Sequence, residues 1–175
     1  MKYTSAEASK LIRKLEEEAT NLRDMEEKSA VFNAASGENV EDLRPEYDFA
    51  ATQARLEELY ERIRTAKHAV NVFNTTHELP GFEGLTIDQA LVYIPQLNKR
   101  KDKLRWMAAH LPKERVDSYQ LARTNIIDYE VINFDREQVK AAYDATGQTL
   151  AKLQLVLDTV NTTETMEIDV ETGDL

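Results

Sequence analysis

The sequence predicts a mainly α protein: elongated antiparallel helical hairpins built from four long, coiled-coil-like helices, with a small β-ribbon at one end. Three observations lead there. Apolar residues recur three and four apart through four stretches of the chain. Each stretch opens on a recognisable start signal. Turn-formers are scarce, with 5 Gly and 4 Pro in 175 residues, while 31% of the residues are charged and can solvate outer helix faces.

The first helix is expected from Thr4 to about Lys28. The Thr4 hydroxyl can accept from the Glu7 amide while the Glu7 carboxylate reaches back, a capping box. Ala8, Leu11, Leu15, Leu22 and Met25 then form one apolar stripe, locally weakened by Glu18. The second helix is expected from Pro45, whose missing amide costs nothing in a first turn. Its stripe, Phe49, Thr52, Leu56, Leu59, Ile63, Ala66, Val70 and Phe73, steps alternately by three and four, the seam spacing of a coiled coil. Such a rod cannot bury its own stripe and must pack on another helix.

Thr86 and Gln89 form a second capping box and open a third helix through Ile87, Leu91, Ile94, Leu97, Leu104 and Met107 to about His110. Pro95 removes the donor for the Leu91 carbonyl, which predicts a kink or break near Tyr93. The fourth helix opens at Asp135 and runs to about Asn161, with Val139, Ala142, Thr146, Leu150, Leu153, Leu157 and Val160 as its stripe. Between helices, 29–35 contains Val31 and Phe32, and 124–134 contains Ile126, Tyr129, Val131 and Ile132. These β-formers predict that the two segments pair as one ribbon. Pro80, Gly81 and Gly84 mark 76–85 as a loop. From Glu164 onward there are five acidic and no basic residues. The domain reading is therefore one helical domain over 1–163 and a mobile acidic tail over 164–175.

Composition narrows the chemistry. No cysteine is present, which removes thiolate nucleophiles, thiolate metal ligands and disulfides. The first 30 residues hold 13 charged ones, leaving no room for an apolar signal stretch. Uncharged runs stop at 10 residues, against roughly 20 for a membrane span. A cytoplasmic protein that starts at Met1 and has no membrane partner is the expectation. The di-iron pattern Glu-x-x-His fails at all three histidines, His68, His77 and His110, because Thr65, Asn74 and Met107 precede them by three. No phosphate-cradling or dinucleotide glycine motif occurs. No catalytic residue, cofactor or metal site is expected.

Two groups of residues stand out. Lys99, Arg100, Lys101, Lys103 and Arg105 put five positive charges within seven residues, a possible grip for phosphates. A net charge of 22 − 32 = −10 works against long-range attraction of a polyanion, so a solvated helix face or an intramolecular partner for the acidic runs is preferred and nucleic acid is not expected. Asn71, beside the seam position Val70, with Asn74 and Asn125, are the polar residues best placed to fix register or oligomer state. Asn74-Thr75-Thr76 and Asn161-Thr162-Thr163 repeat one pattern at two helix exits. Trp106 and the tyrosines are read as core or interface residues.

The run Val70-Asn71-Val72-Phe73-Asn74-Thr75, the restart at Leu85-Thr86, the strand-like 125–131 and the exit Asn161-Thr162-Thr163-Glu164 resemble the septicolysin-like family of small bacterial helical proteins. The likeness spans most of the chain. It departs from the family pattern at Phe73, where Thr is usual, and at Thr162, where a Trp is usual. The resemblance implies a membrane-active cytolysin, with no catalytic motif attached. Read from the residues, the chain is instead a non-catalytic, homo-oligomeric scaffold or interaction protein, because long apolar seams in a small chain leave surface that needs a neighbour.

Overall fold

The computed structural model describes residues 1–115 and 128–170. Among these, five helices and four short strands follow in the order β1 (Lys2–Thr4), α1 (Ser5–Ala30), α2 (Val40–Leu43), α3 (Phe49–Thr76), α4 (Ile87–Ala109), β2 (Lys113–Arg115), β3 (Tyr129–Val131), α5 (Arg136–Thr163) and β4 (Thr165–Glu167). The chain parts into two compact units, Met1–His77 with Asp158–Leu175, and Glu78–Leu157. The division falls inside α5.

In the first unit, Thr4 and Glu7 close the expected capping box at the start of α1. Ala8, Leu11, Leu15 and Ala19 are buried from α1, and Leu56, Leu59 and Ala66 from α3. Leu11, Leu15 and Ala19 pack with Leu56 and Leu59, while Ala8 packs near Ala66, so the helices run antiparallel. Ion pairs flank the seam, Glu18 to Arg55 and Glu16 to Lys67. α3 begins later than Pro45 because the Asp48 side chain accepts from the Ala51 amide and sets the N-cap there.

β1 and β4 pair antiparallel, with Tyr3 opposite Met166. Met166, Ile168 and Val170 are buried with Ala8 and Ala66, and Ile12, Val70 and Phe73 pack against them. The segment after Glu164, expected to be mobile, is thus part of the core through residue 170. The alternation Met166, Ile168, Val170 against Glu167 and Asp169 is a strand pattern, and its acidic half hid it. The two helix exits repeat in structure as in sequence. Thr75 and Thr76 hydroxyls donate to the Asn71 and Val72 carbonyls, and Thr162 and Thr163 to those of Asp158 and Thr159.

Among the described residues, the expected four helices and single ribbon are corrected to five helices and two separate two-stranded sheets, and the helices do not form a clean pair of hairpins. The extra helix, α2, is one turn long and forms because the Asn39 side chain accepts from the Glu41 amide and Arg44 pairs with Glu41. Among the described residues, 29–35 do not pair with 128–134. Helix α1 runs on through Ala30, and the Glu38 carboxylate takes the Ala35 amide in a turn. β3 pairs instead with β2, Lys113-Glu114-Arg115, a charged tripeptide without β-former pattern. Residues 124–127 lie outside the described residues.

The second unit opens with a tight loop. Leu79 and Leu85 bond through the backbone, Gly81 and Gly84 take φ of 73° and 74°, and Leu79 is buried. Those angles favour glycine because a Cβ would crowd the following carbonyl. The Lys152 ammonium from α5 lies 5.2 Å over the Phe82 ring. Farther along, Lys101 of α4 lies 5.7 Å over Tyr143, and the Arg136 guanidinium donates to the Ala108 carbonyl at 3.5 Å. α4 and this part of α5 are therefore antiparallel. Of the kink or break expected near Tyr93, the break is absent, since α4 is helical from Ile87 to Ala109. Buried Ile87 and Ala90 on one side of Pro95 and Leu97 on the other hold both halves in place, so tertiary packing outweighs the lost hydrogen bond.

Candidate functional site

The apolar seams of the first unit run out at the tip where α1 ends and α3 begins. Met25, the last position of the α1 stripe, is 64% exposed, and Phe49, the first of the α3 stripe, is 65% exposed. Val31, Val40 and Leu43 on the intervening segment are exposed as well. Glu26 ties the tip together, since its Oε1 accepts from the Tyr47 hydroxyl at 2.7 Å and from Gln53 Nε2 at 2.8 Å. The hydrogen bond to the Glu26 carboxylate holds the Tyr47 phenol above its ordinary pKa. Arg44 lies 5.6 Å over the Phe32 ring. The tip is a fixed apolar surface braced by polar contacts.

The second unit carries a cavity of about 190 Å³ between the end of α4, the β2–β3 ribbon and the residues that follow it. Trp106, His110, Glu114, Glu130, Asn133 and Phe134 are among its walls. The His110 and Trp106 rings meet edge to face with centroids 4.4 Å apart. His110 Nδ1 lies 2.8 Å from the Trp106 carbonyl oxygen, which can only accept. Nδ1 therefore carries a proton. Among the described residues, no group of three or more His, Cys, Asp or Glu side chains is placed to hold a metal ion. Nor is any helix among them long and apolar enough to cross a membrane.

The basic stretch of α4 is largely engaged within the chain. Lys101 sits over Tyr143, Lys103 is 3.8 Å from the Trp106 ring centroid, and Arg105 pairs with Asp102 at 2.8 Å. Lys99 and Arg100 are exposed. Asn71 is exposed and Asn74 half-buried on the last turns of α3, and Asn125 lies outside the described residues.

No protein-family model matches the chain, and no curated protein matches it. Among solved structures it is similar to a functionally unknown conserved protein from Corynebacterium diphtheriae. The two share 19% sequence identity over 95% of this chain and 100% of that one, with a TM-score of 0.52. A likeness at that identity speaks for the fold.

Sequence reasoning missed Arg62. It sits on the buried side of α3 at 9% exposure, with Nε and Nη2 lacking any hydrogen-bond partner and Glu58 reaching only Nη1, at 4.0 Å. A reading that tracks apolar positions has no means of placing a cation there. Trp106, read as core or interface, is 53% exposed. The seam pattern did contain Met25 and Phe49, but periodicity does not tell where a seam loses its cover.

Proposed function

We propose that this chain is a non-catalytic interaction protein that associates with a second copy of itself through the tip formed by the ends of α1 and α3. The observation that carries the reading is the uncovered ending of both apolar seams, Met25 and Phe49, at the same end of one antiparallel pair. A two-fold contact requires a self-complementary patch, and two such tips can bury Met25 of one copy against Phe49 of the other. Burying large apolar side chains at a contact is favourable at roughly 25 cal/mol per Å² of apolar area.

Sedimentation velocity at micromolar concentrations tests the proposal. The wild-type chain is expected to form a dimer, and Met25→Glu with Phe49→Glu is expected to give a monomer of unchanged helix content. Because each copy carries a net charge of −10, added salt should strengthen the dimer by screening repulsion. A wild-type chain that stays monomeric throughout that range overturns the reading.

A further inference from the structure

We propose that the tip of the first unit also docks a cationic amphipathic helix of another protein, in competition with the second copy, which rests on the tip being the surface through which the chain associates. The apolar part of that surface is already assembled. Met25 ends the α1 seam and Phe49 begins the α3 seam, both mostly exposed, and Val31, Val40 and Leu43 are exposed on the connection between them. Apolar side chains gathered in one patch and rimmed by polar ones mark a contact surface, whereas single exposed ones do not. Residues 31–48 include α2 and no strand, so an incoming segment finds no sheet edge to extend. A helix with apolar residues three and four apart can instead lie along the tip as α1 and α3 lie along each other. The unbranched thioether of Met25 adapts to apolar faces of differing shape.

Charge decides the sign of the partner. Residues 24–48 carry eight carboxylates against Lys28 and Arg44, a net 2 − 8 = −6 and more than half of the chain's −10. The second unit, 78–157, is neutral at 11 − 11 = 0. Four carboxylates of the tip are spent within it: Glu26 on Tyr47 and Gln53, Glu38 on the Ala35 amide, Glu41 on Arg44 and Asp48 on the Ala51 amide. The carboxylates of Asp24, Glu27, Asp42 and Glu46 are exposed and, among the described residues, engaged by no ion pair or hydrogen bond. Against these four stands one uncommitted cation among the described residues of the tip, Lys28. A second copy brings the same sign to this surface, and a cationic helix brings the opposite one. Like charges across an interface cost affinity, and opposite charges speed the encounter and fix the partner.

A fluorescein-labelled lysine–leucine peptide of about 18 residues, five helical turns with leucines three and four apart, tests the proposal by fluorescence anisotropy. Saturable binding at one peptide per chain is expected, weakening roughly tenfold or more from low to high salt. Self-association strengthens with salt, so the two occupants respond in opposite directions. A shuffled peptide without the leucine stripe, and an analogue with glutamate for lysine, should each bind at least about tenfold less tightly. Met25→Ala with Phe49→Ala should weaken binding roughly tenfold or more. Glu27→Gln with Glu46→Gln should weaken it and flatten its salt dependence, with circular dichroism unchanged in both double variants. Glu61→Gln with Glu83→Gln, the same charge change outside the tip, should have no effect. Excess peptide should turn the sedimenting dimer into a monomer carrying one peptide. Equal binding of the shuffled peptide, or binding untouched by Met25→Ala with Phe49→Ala, overturns the proposal. A dimer that excess peptide leaves intact also overturns it and leaves the second copy as the occupant of the tip. A chain that is monomeric alone yet binds the peptide through Met25 and Phe49 overturns self-association and upholds the helix site.

Discussion

Replacing Ile168 by alanine measures whether the acidic C-terminal segment is structural. Ile168 is fully buried, and its neighbours in the same cluster are Ala8, Ala66, Met166 and Val170. Its backbone is fixed as well, since the Ile168 amide donates to the Met1 carbonyl at 2.9 Å. The surroundings cannot collapse freely onto the space left behind, so the loss should be about 2–5 kcal/mol, the range for deleting a buried Ile to Ala. At roughly 2–4 °C per kcal/mol for a chain of this size, Tm should fall by about 4–20 °C. Urea unfolding followed by circular dichroism at 222 nm gives the free energy. An unchanged slope against denaturant assigns the change to the native state. The companion variant Glu167→Ala, on the exposed side of the same strand, should stay within about 0.5 kcal/mol of the parent. If Ile168→Ala is as silent as Glu167→Ala, the segment is not part of the core and the β1–β4 pairing is wrong.

Two further outcomes follow from single side chains. Backbone and side-chain hydrogen bonds from Thr4 hold the Glu7 carboxyl below its ordinary pKa of 4.5. A depressed folded-state value means that the stabilisation is present above that pH and is lost as pH falls through the folded value. Glu7→Gln should therefore flatten the acid limb of the stability curve below about pH 4.5, read by thermal melts across pH, and an unchanged acid limb would count against the capping box. Arg62→Met should leave stability unchanged or raise it by about 1–4 kcal/mol, because a buried cation with only a long contact to Glu58 is exchanged for an apolar side chain of similar length. A loss of more than about 1 kcal/mol by urea unfolding would mean that the guanidinium is satisfied in solution.

Helices were legible in this sequence because their signals are local. Thr4 with Glu7 and Thr86 with Gln89 announce their caps within four residues, and the stripe positions Ala8, Leu11 and Leu15 of α1, Leu56, Leu59 and Ala66 of α3 and Leu150, Leu153, Leu157 and Val160 of α5 are buried where the spacing placed them, while Met25 and Phe49 are not. The strands were legible only at β3, which falls inside the β-former stretch expected to be strand although its partner was misplaced. β2 consists of Lys113, Glu114 and Arg115, all exposed, so neither alternation nor β-former content separates it from a loop. β4 does alternate, yet its partner lies at the other end of the chain, and long-range pairing leaves no local trace. Pro95 shows the opposite case, since the helix continues through a residue that commonly ends one, with packed residues on both sides of it. Of the candidate sites, the ends of the two seams could be named but their exposure could not. The cavity beside Trp106 depends on the register between β2 and β3, which no reading of either tripeptide reveals.

The pairing of Lys2–Thr4 with Thr165–Glu167 also sets the timetable of biogenesis. During synthesis the strand at Lys2–Thr4 is made about 160 residues before its mate, on the order of ten to thirty seconds earlier at ribosomal speed. Until then Ala8 and Ala66 lack the cover that Met166, Ile168 and Val170 provide. The nascent chain must therefore carry a bare greasy face throughout that interval, a period in which a holdase or a slow-codon pause would matter most.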